Sequence, residues 1–391
     1  MTSYKGEGFY ERLGVKPAIN AWSWVTVMGG SIMPPPVVRA MEEASKSFVD
    51  MHDLNARAGE VIAKLTGAEA GLVTAGSAAG MLLQAAACMT GTDPAKIDRL
   101  PDSRGMKNQI VLHRAHRVGY VRTYRAAGAK LVEIGDLERT EEWELETAIN
   151  RKTAAVAYVY GPKMGGAIPL ESVVEIAHAR GVPVIVDAAA MLPPVENLTR
   201  YIAAGADMVS FSGGKGVMGP QSTGILCGTK ELIAAAYLNS APHSEGVGRP
   251  AKVPKEEIAG IVTALELFVD TDQDAQRADW RQKAQVVVAG LQGIAGVTTT
   301  LVDAKPELQD SHSGHARAIV SWDTATMGLT DEDVVARLKD GDPPIYLGTD
   351  GPEGGIAVVP VALREGEPEI IVDRLRGILG GRRIGSRARR A

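Results

Sequence analysis

The feature that most constrains this chain is a recurrence. Short runs rich in Val, Ile and Leu, mostly without polar alternation, are separated by longer stretches with helical periodicity. Residues 71–74, 109–112, 130–134, 154–158, 182–186, 208–210 and 224–226 read as seven strands. Runs of this kind, apolar on both faces, belong to strands covered on both sides, as in parallel sheets. Between them, residues 35–51, 77–89, 119–128 and 170–180 carry helix patterns, and Gly128 and Gly181 stand where a left-handed C-cap is wanted. The alternation predicts an α/β domain with a mainly parallel sheet. The last strands are too close in sequence for a crossover helix, which predicts an antiparallel member near Gly224.

Past Pro254 the texture changes. Residues 255–290 read as a long helical stretch, followed by strands at 296–302 and 316–322, a helix at 330–339, a strand at 355–360 and a helix at 367–379. This order predicts a small α+β domain, so the expected division is 1–254 for the large domain and 255–391 for the small one. The end of the chain, residues 380–391, holds five arginines in twelve positions, which fits a frayed terminus or a dock for an anionic partner.

Composition narrows the function classes. Against 42 Lys and Arg stand 47 Asp and Glu, a net charge of −5 that argues against a general nucleic-acid binder. No apolar run approaches membrane-spanning length and residues 1–11 show no apolar signal region, so the expected location is the cytoplasm. The two cysteines, Cys88 and Cys227, lie in apolar stretches and read as reduced buried thiols rather than a disulfide or a metal pair; no metal site is expected.

Three separated motifs fit one aldehyde cofactor that carries a phosphate. In Phe211-Ser212-Gly213-Gly214-Lys215-Gly216 a lysine stands on a glycine-rich turn after a strand. Such a lysine, deprotonated, can hold the cofactor aldehyde as an imine and later move the substrate's α-proton. Ser212 is placed to reach the phosphate. In Val184-Ile185-Val186-Asp187-Ala188-Ala189-Ala190 an aspartate ends a buried strand, where α/β folds bind ligands, and the alanines leave room for a flat ring. A carboxylate there would keep the pyridine nitrogen protonated. In Thr74-Ala75-Gly76-Ser77-Ala78-Ala79-Gly80 a strand passes into a helix whose free amides suit a phosphate. Each motif has a plainer reading: a flexible surface loop for Lys215, a turn cap for Asp187, a helix N-cap for Ser77. Their joint occurrence, each at a strand end, favours the cofactor, pyridoxal 5′-phosphate.

At these residues the chain resembles the selenocysteine synthase (bacterial L-seryl-tRNA selenium transferase) and D-glucosaminate-6-phosphate ammonia-lyase family of fold type I pyridoxal-phosphate enzymes. The similarity covers roughly residues 18–260 and is most specific at Asp207-Met-Val-Ser-Phe-Ser-Gly-Gly-Lys-Gly-Val-Met-Gly-Pro-Gln221. Leu65-Thr-Gly-Ala-Glu-Ala70, Thr90-Gly-Thr-Asp-Pro94 and Gly248-Arg-Pro-Ala-Lys252 support it. The resemblance implies an aspartate-aminotransferase-like fold, with Lys215 as the imine lysine and Asp187 as the pyridine partner. It also implies Ser77, Ala78 and Ser212 around the phosphate, and the motifs themselves add Gly76 and Ala189 as cofactor contacts. His116 looks like the residue that stacks on the ring, a surface histidine in a basic loop being its plainer reading. Arg249 and Lys252 lie where the family gathers positive charge for a substrate carboxylate or phosphate, and Arg364 is a second carboxylate candidate. Asn55 and Arg57, read as preceding a helix, are candidates to enter the site of a neighbouring subunit, and a homodimer or higher homo-oligomer is expected by analogy. Selenocysteine synthases carry a tRNA-binding domain ahead of the segment beginning Ile19-Asn20-Ala21, where only 18 residues stand here. Their asparagine run is replaced by Gly76-Ser77-Ala78-Ala79. The implied substrate is therefore a small amino acid or amino sugar acid rather than a tRNA. The implied reaction is an α,β-elimination of ammonia-lyase type. Racemisation or epimerisation, transamination and β-replacement use the same motifs, and a fold-retaining scaffold without activity is the alternative of another class.

Overall fold

The computed structural model describes residues 8–161, 165–305, 314–348, 351 and 355–380, and these fall into two compact units. The larger comprises Gly29–Gln273 together with Gly314. Its seven strands are β1 (Ala70–Thr74), β2 (Gln109–His113), β3 (Lys130–Ile134), β4 (Thr153–Val159), β5 (Val184–Asp187), β6 (Met208–Ser212) and β7 (Gly224–Gly228). They are ordered β1-β7-β6-β5-β4-β2-β3. From β3 to β6 every pairing is parallel, and β7 runs antiparallel to both β1 and β6, as the short spacing before Gly224 predicts. Val184, Ile185 and Val186 are all wholly buried, yet their neighbours alternate: Val184 and Val186 join one core cluster and Ile185 the other. A sheet packed on both faces thus explains why these strands lack polar alternation.

Helices α1 (Pro35–Ala44), α2 (Met51–Thr66) and α3 (Gly76–Thr90) lead into this sheet. The sequence pattern ran α1 on to residue 51, but the structure breaks it. The Asp50 carboxylate accepts the amides of His52 and Asp53 at 2.7 and 3.3 Å, starting a new helix there. Asn55 and Arg57 consequently lie inside α2 rather than ahead of a helix. Residues 119–128 shorten to a 3₁₀ turn, Gly119–Val121, and one α-turn, Arg122–Ala126. Gly128 and Gly181 do adopt positive φ, +99° and +65°.

The expected boundary at 254/255 is displaced. Helix Lys255–Asp270 packs along α1 and α2 through Ile258, Ile261, Ala264 and Leu265, in the larger unit's core. The long pattern over 255–290 hid the break after Asp270, where Thr271 turns extended (ψ 131°) before Gln273–Gly290 begins. The described residues up to Met28 belong with the smaller unit, because Ile19–Asn20 pairs in parallel with Ile345–Tyr346. That unit holds a three-stranded antiparallel sheet, Gly355–Val358, Arg317–Trp322 and Val297–Val302 in spatial order, and the helices Asp331–Lys339 and Glu367–Leu379. Val287, Val320, Val334, Leu338, Ile371 and Leu375 make its core. The arginine-rich residues 381–391 lie outside the described residues. Among the described residues no helix is long and apolar enough to cross a membrane. Both cysteines are free.

Candidate active site

Strands β1, β2, β4, β5 and β6 share one direction, so their C-terminal ends open on one edge of the sheet, the place where such folds bind ligands. Asp187 is the last residue of β5 and is 4% exposed. Its Oδ1 accepts the Ala189 amide at 3.0 Å and the Ser77 hydroxyl at 3.2 Å. Burial raises its pKa; the Ala189 amide, the charge of Lys215 and the Ser77 hydroxyl oppose that rise. Oδ2 makes no hydrogen bond among the described residues.

Lys215 sits in the loop that follows β6. Burial lowers its amine pKa, and the neighbouring Asp187 carboxylate opposes the change. This loop is not a flexible surface turn, because both flanking glycines are hemmed in by backbone. A Cβ on Gly214 would lie 2.3 Å from Gln221 Cα, and one on Gly216 would lie 2.3 Å from the Leu192 carbonyl oxygen. Only glycine lets the chain pass at that distance. Gly213 N–H donates to the Thr223 carbonyl and Met218 N–H to that of Lys215, closing the loop.

Helix α3 starts at Gly76, and its N-cap Ala75 offers no side-chain oxygen, so the first-turn amides of Gly76, Ser77 and Ala78 are left without a cap. Ser77 is not the N-cap. Its hydroxyl points inward to Asp187 and lies 3.0 Å from Ser210 Oγ. Ser212, half-buried at the end of β6, makes no side-chain hydrogen bond among the described residues. His116 follows β2 and is 1% exposed, so it is no surface histidine. Its Nδ1 accepts the Val159 amide at 3.4 Å, which assigns the proton to Nε2, a buried nitrogen without a partner. Tyr158 stands edge-on at 4.5 Å and His113 tilted at 4.9 Å. Burial, and then His113, hold its pKa near 3.

The structure thus brings together Ser77, Asp187 and Lys215, with Gly76, Ala78, Ala189 and Ser212 at the same strand ends. It does not bring in Arg57, which is exposed and ion-paired with Asp53 and Glu60, nor the Asn55 amide, which bonds back to Met51 O within α2. Arg249 is half-buried at the foot of a loop closed by Gly248 N–H to Asn239 O at 2.8 Å; Lys252 is exposed. Neither forms an ion pair among the described residues. Arg364 belongs to the smaller unit, is exposed, and its amide donates to Glu367. Among the described residues no three His, Cys, Asp or Glu cluster to hold a metal. Sequence reasoning missed Ser210. Its one signal was a hydroxyl inside the otherwise apolar Met208-Val209-Ser210-Phe211 run, and it is wholly buried.

Comparison with known proteins adds the lineage. Residues 52–281 match the family model for L-seryl-tRNA selenium transferase. The chain belongs to the L-seryl-tRNA selenium transferase family. Within that family it is 34% identical to the D-glucosaminate-6-phosphate ammonia lyase of Salmonella typhimurium, over 94% of this chain and 97% of that protein. It is 33% identical to a Streptomyces 5′-C-glycyluridine monooxygenase-decarboxylase, over 95% and 92%. A solved structure of D-glucosaminate-6-phosphate ammonia-lyase superposes with a TM-score of 0.83 at 32% identity, covering 97% of this chain and 99% of that one. The fold is that of the fold type I pyridoxal-phosphate enzymes, and the family's cofactor is pyridoxal 5′-phosphate. The residues at the strand ends fit that group. They supply a half-buried lysine with a lowered pKa, a carboxylate with one oxygen uncommitted, an uncapped helix N-terminus and an unpartnered His116 Nε2.

Proposed function

We propose that this chain is an ammonia-lyase that eliminates across the α and β carbons of an amino sugar acid or small β-hydroxy amino acid, with Lys215 as its attachment and proton-transfer residue. The observation that carries the reading is the pairing of a half-buried, deprotonation-prone Lys215, in the loop after β6, with a buried Asp187 at the end of β5. The likeness to the Salmonella ammonia lyase, along almost the full length of both chains, supports the reaction class. Pyridoxal phosphate, when bound, supplies an aldehyde that condenses with amines and a ring that takes up the electrons left by a departing α-proton.

The chain's residues do the rest. Lys215 Nζ, its pKa lowered by burial, accepts the α-proton as the free amine. Asp187, fastened through Oδ1, keeps a proton on the ring nitrogen with Oδ2. The amides of Gly76, Ser77 and Ala78 and the Ser212 hydroxyl would hold the phosphate, and Ala189 would line the place of the ring. His116, neutral and protonated on Nε2, would pack on the ring and donate a hydrogen bond rather than act as a base. Arg249 and Lys252 bind the substrate's carboxylate or phosphate. The reading includes a homodimer or larger assembly in the cytoplasm; fully exposed Phe48, beside exposed Val49, supports self-association.

The test supplies phosphorylated amino sugar acids and β-hydroxy amino acids to the cofactor-loaded protein and measures ammonia and 2-oxo acid. Release by wild type and none by Lys215→Ala is the expected result; no release from any of them refutes the lyase reading. The Streptomyces relative favours a second reading, oxygen-dependent decarboxylation of an amino acid. Oxygen uptake with carbon dioxide release, in place of 2-oxo acid, would establish it.

A further inference from the structure

We propose that Ser77 and Ser210 form a hydroxyl relay that fixes the Asp187 carboxylate, so that both are positioning residues for the cofactor's ring nitrogen and neither hydroxyl is a ligand of its phosphate. The inference rests on the cofactor site proposed above and reassigns Ser77 within it.

The geometry determines the direction of the protons. An ionised carboxylate only accepts, so the Ser77 hydroxyl donates its single proton to Asp187 Oδ1 across 3.2 Å. Ser77 Oγ then has only lone pairs to offer Ser210 Oγ, 3.0 Å away, and Ser210 is the donor of that contact. The Ser77 carbonyl, 3.3 Å from Ser210 Oγ, is its longer alternative. The chain therefore runs from Ser210 to Ser77 to Asp187, each bond polarising the next. All three are buried, at 0%, 7% and 4% exposure, where an unmatched hydroxyl is costly.

Two further features hold the relay in place. Ser210 stands directly opposite Asp187 in the parallel register of β5 and β6, and its carbonyl accepts the Ala188 amide. On the other side, Gly80 of α3 leaves the space that the Ser210 hydroxyl fills; a Cβ there would lie 2.3 Å from Ser210 Oγ. Oδ1 is thereby saturated by Ser77 and the Ala189 amide, and Oδ2 is the oxygen left for the ring. A phosphate-binding serine at a helix N-terminus would instead turn its hydroxyl outward, alongside the first-turn amides.

The experiment compares wild type, Ser77→Ala, Ser210→Ala and the double variant, all loaded with ¹⁵N-labelled pyridoxal phosphate. It reads cofactor dissociation constant, ring ¹⁵N shift, kcat and KM, and also the ¹³C titration of Asp187 in the cofactor-free protein. Loss of a hydrogen bond to a charged group predicts a fall in kcat of about 10- to 100-fold for Ser77→Ala. With it come a ring nitrogen moved toward its unprotonated shift, an upward move of the Asp187 titration, and cofactor affinity within about threefold of wild type. Ser210→Ala changes the same quantities less, and adds nothing in the Ser77→Ala background, because it acts through Ser77. A Ser77→Ala protein that loses cofactor affinity tenfold or more while its ring nitrogen is unmoved makes Ser77 a phosphate ligand and overturns the proposal; so do variants indistinguishable from wild type. Should Ser77→Ala fail to fold, Ser210→Ala carries the same test alone, since Ser210 belongs to β6 and its substitution leaves the first-turn residues of α3 in place. A wild-type protein that binds no cofactor refutes the proposed site itself, a separate outcome.

Discussion

Gly216→Ala tests whether the lysine loop is held as tightly as its contacts imply. A Cβ at Gly216 would lie 2.3 Å from Leu192 O, 2.6 Å from Pro193 Cδ and 2.9 Å from Leu192 C. Two of the three are backbone atoms and the third is part of a proline ring, so no rotamer change relieves the clash. The nearest approach is about 1 Å short of ordinary contact, and the loop or residues 192–193 must move by about that much. Overpacking of this kind costs about 2–3 kcal/mol. In a domain of this size it lowers the thermal midpoint by roughly 4–12 °C. Lys215 is the adjacent residue, and misplacing a reacting group by about 1 Å slows its chemistry roughly 100-fold. Thermal unfolding of the cofactor-free protein reads the first effect. The rate at which added pyridoxal phosphate becomes fixed by borohydride reads the second. Gly377→Ala is the control: inside helix Glu367–Leu379, with nothing within 4 Å of the added methyl, it should stabilise by about 0.5–1 kcal/mol. A Gly216→Ala protein with wild-type midpoint and wild-type fixation rate would refute the claim that this loop is rigid.

Asp187→Asn should stabilise the cofactor-free protein at pH 7 while cutting activity by roughly 100-fold or more. Burial raises the folded-state pKa of Asp187 above 3.8, so its ionised form is a cost of folding that asparagine removes; the advantage should vanish as pH falls to 3.8, and a destabilised variant at pH 7 would contradict this. Burial lowers His113 and His116 to about 4 and about 3, so the unfolded chain takes up protons below pH 6.5 that the folded one refuses. Stability should fall with pH from 6.5 downward by up to about 1.4 kcal/mol per unit for each. His113→Gln should shrink the loss between pH 6.5 and 5 by about 2 kcal/mol in urea titrations, an unchanged loss counting against it. Asp50→Ala should cost about 1 kcal/mol by uncapping α2, read as a lower denaturation midpoint with the chemistry at Lys215 untouched.

The sequence by itself determined the parallel sheet, its antiparallel member and the three motifs at strand ends. Those features are written locally: unbroken apolar runs mark strands covered on both faces, and glycines beside Lys215 mark a backbone that must pass close to another. The start of α2 was also local, in Asp50 two and three residues before the amides it caps, but the apolar pattern running through 35–51 masked it. Only the tertiary structure decided where the Ser77 hydroxyl goes, since its partners lie 110 and 133 residues away. The same holds for Ser210, which nothing nearby distinguishes from a strand serine facing solvent, and for the burial of His116 beneath Tyr158 in what reads as a basic loop. It holds too for the two ends of the larger unit. Helix Lys255–Asp270 and strand Ile19–Asn20 join the units they do because of what their apolar faces and backbone amides meet in space. Periodicity tells a segment which of its faces to bury, and the partner that buries it is chosen by contacts between residues far apart in the chain.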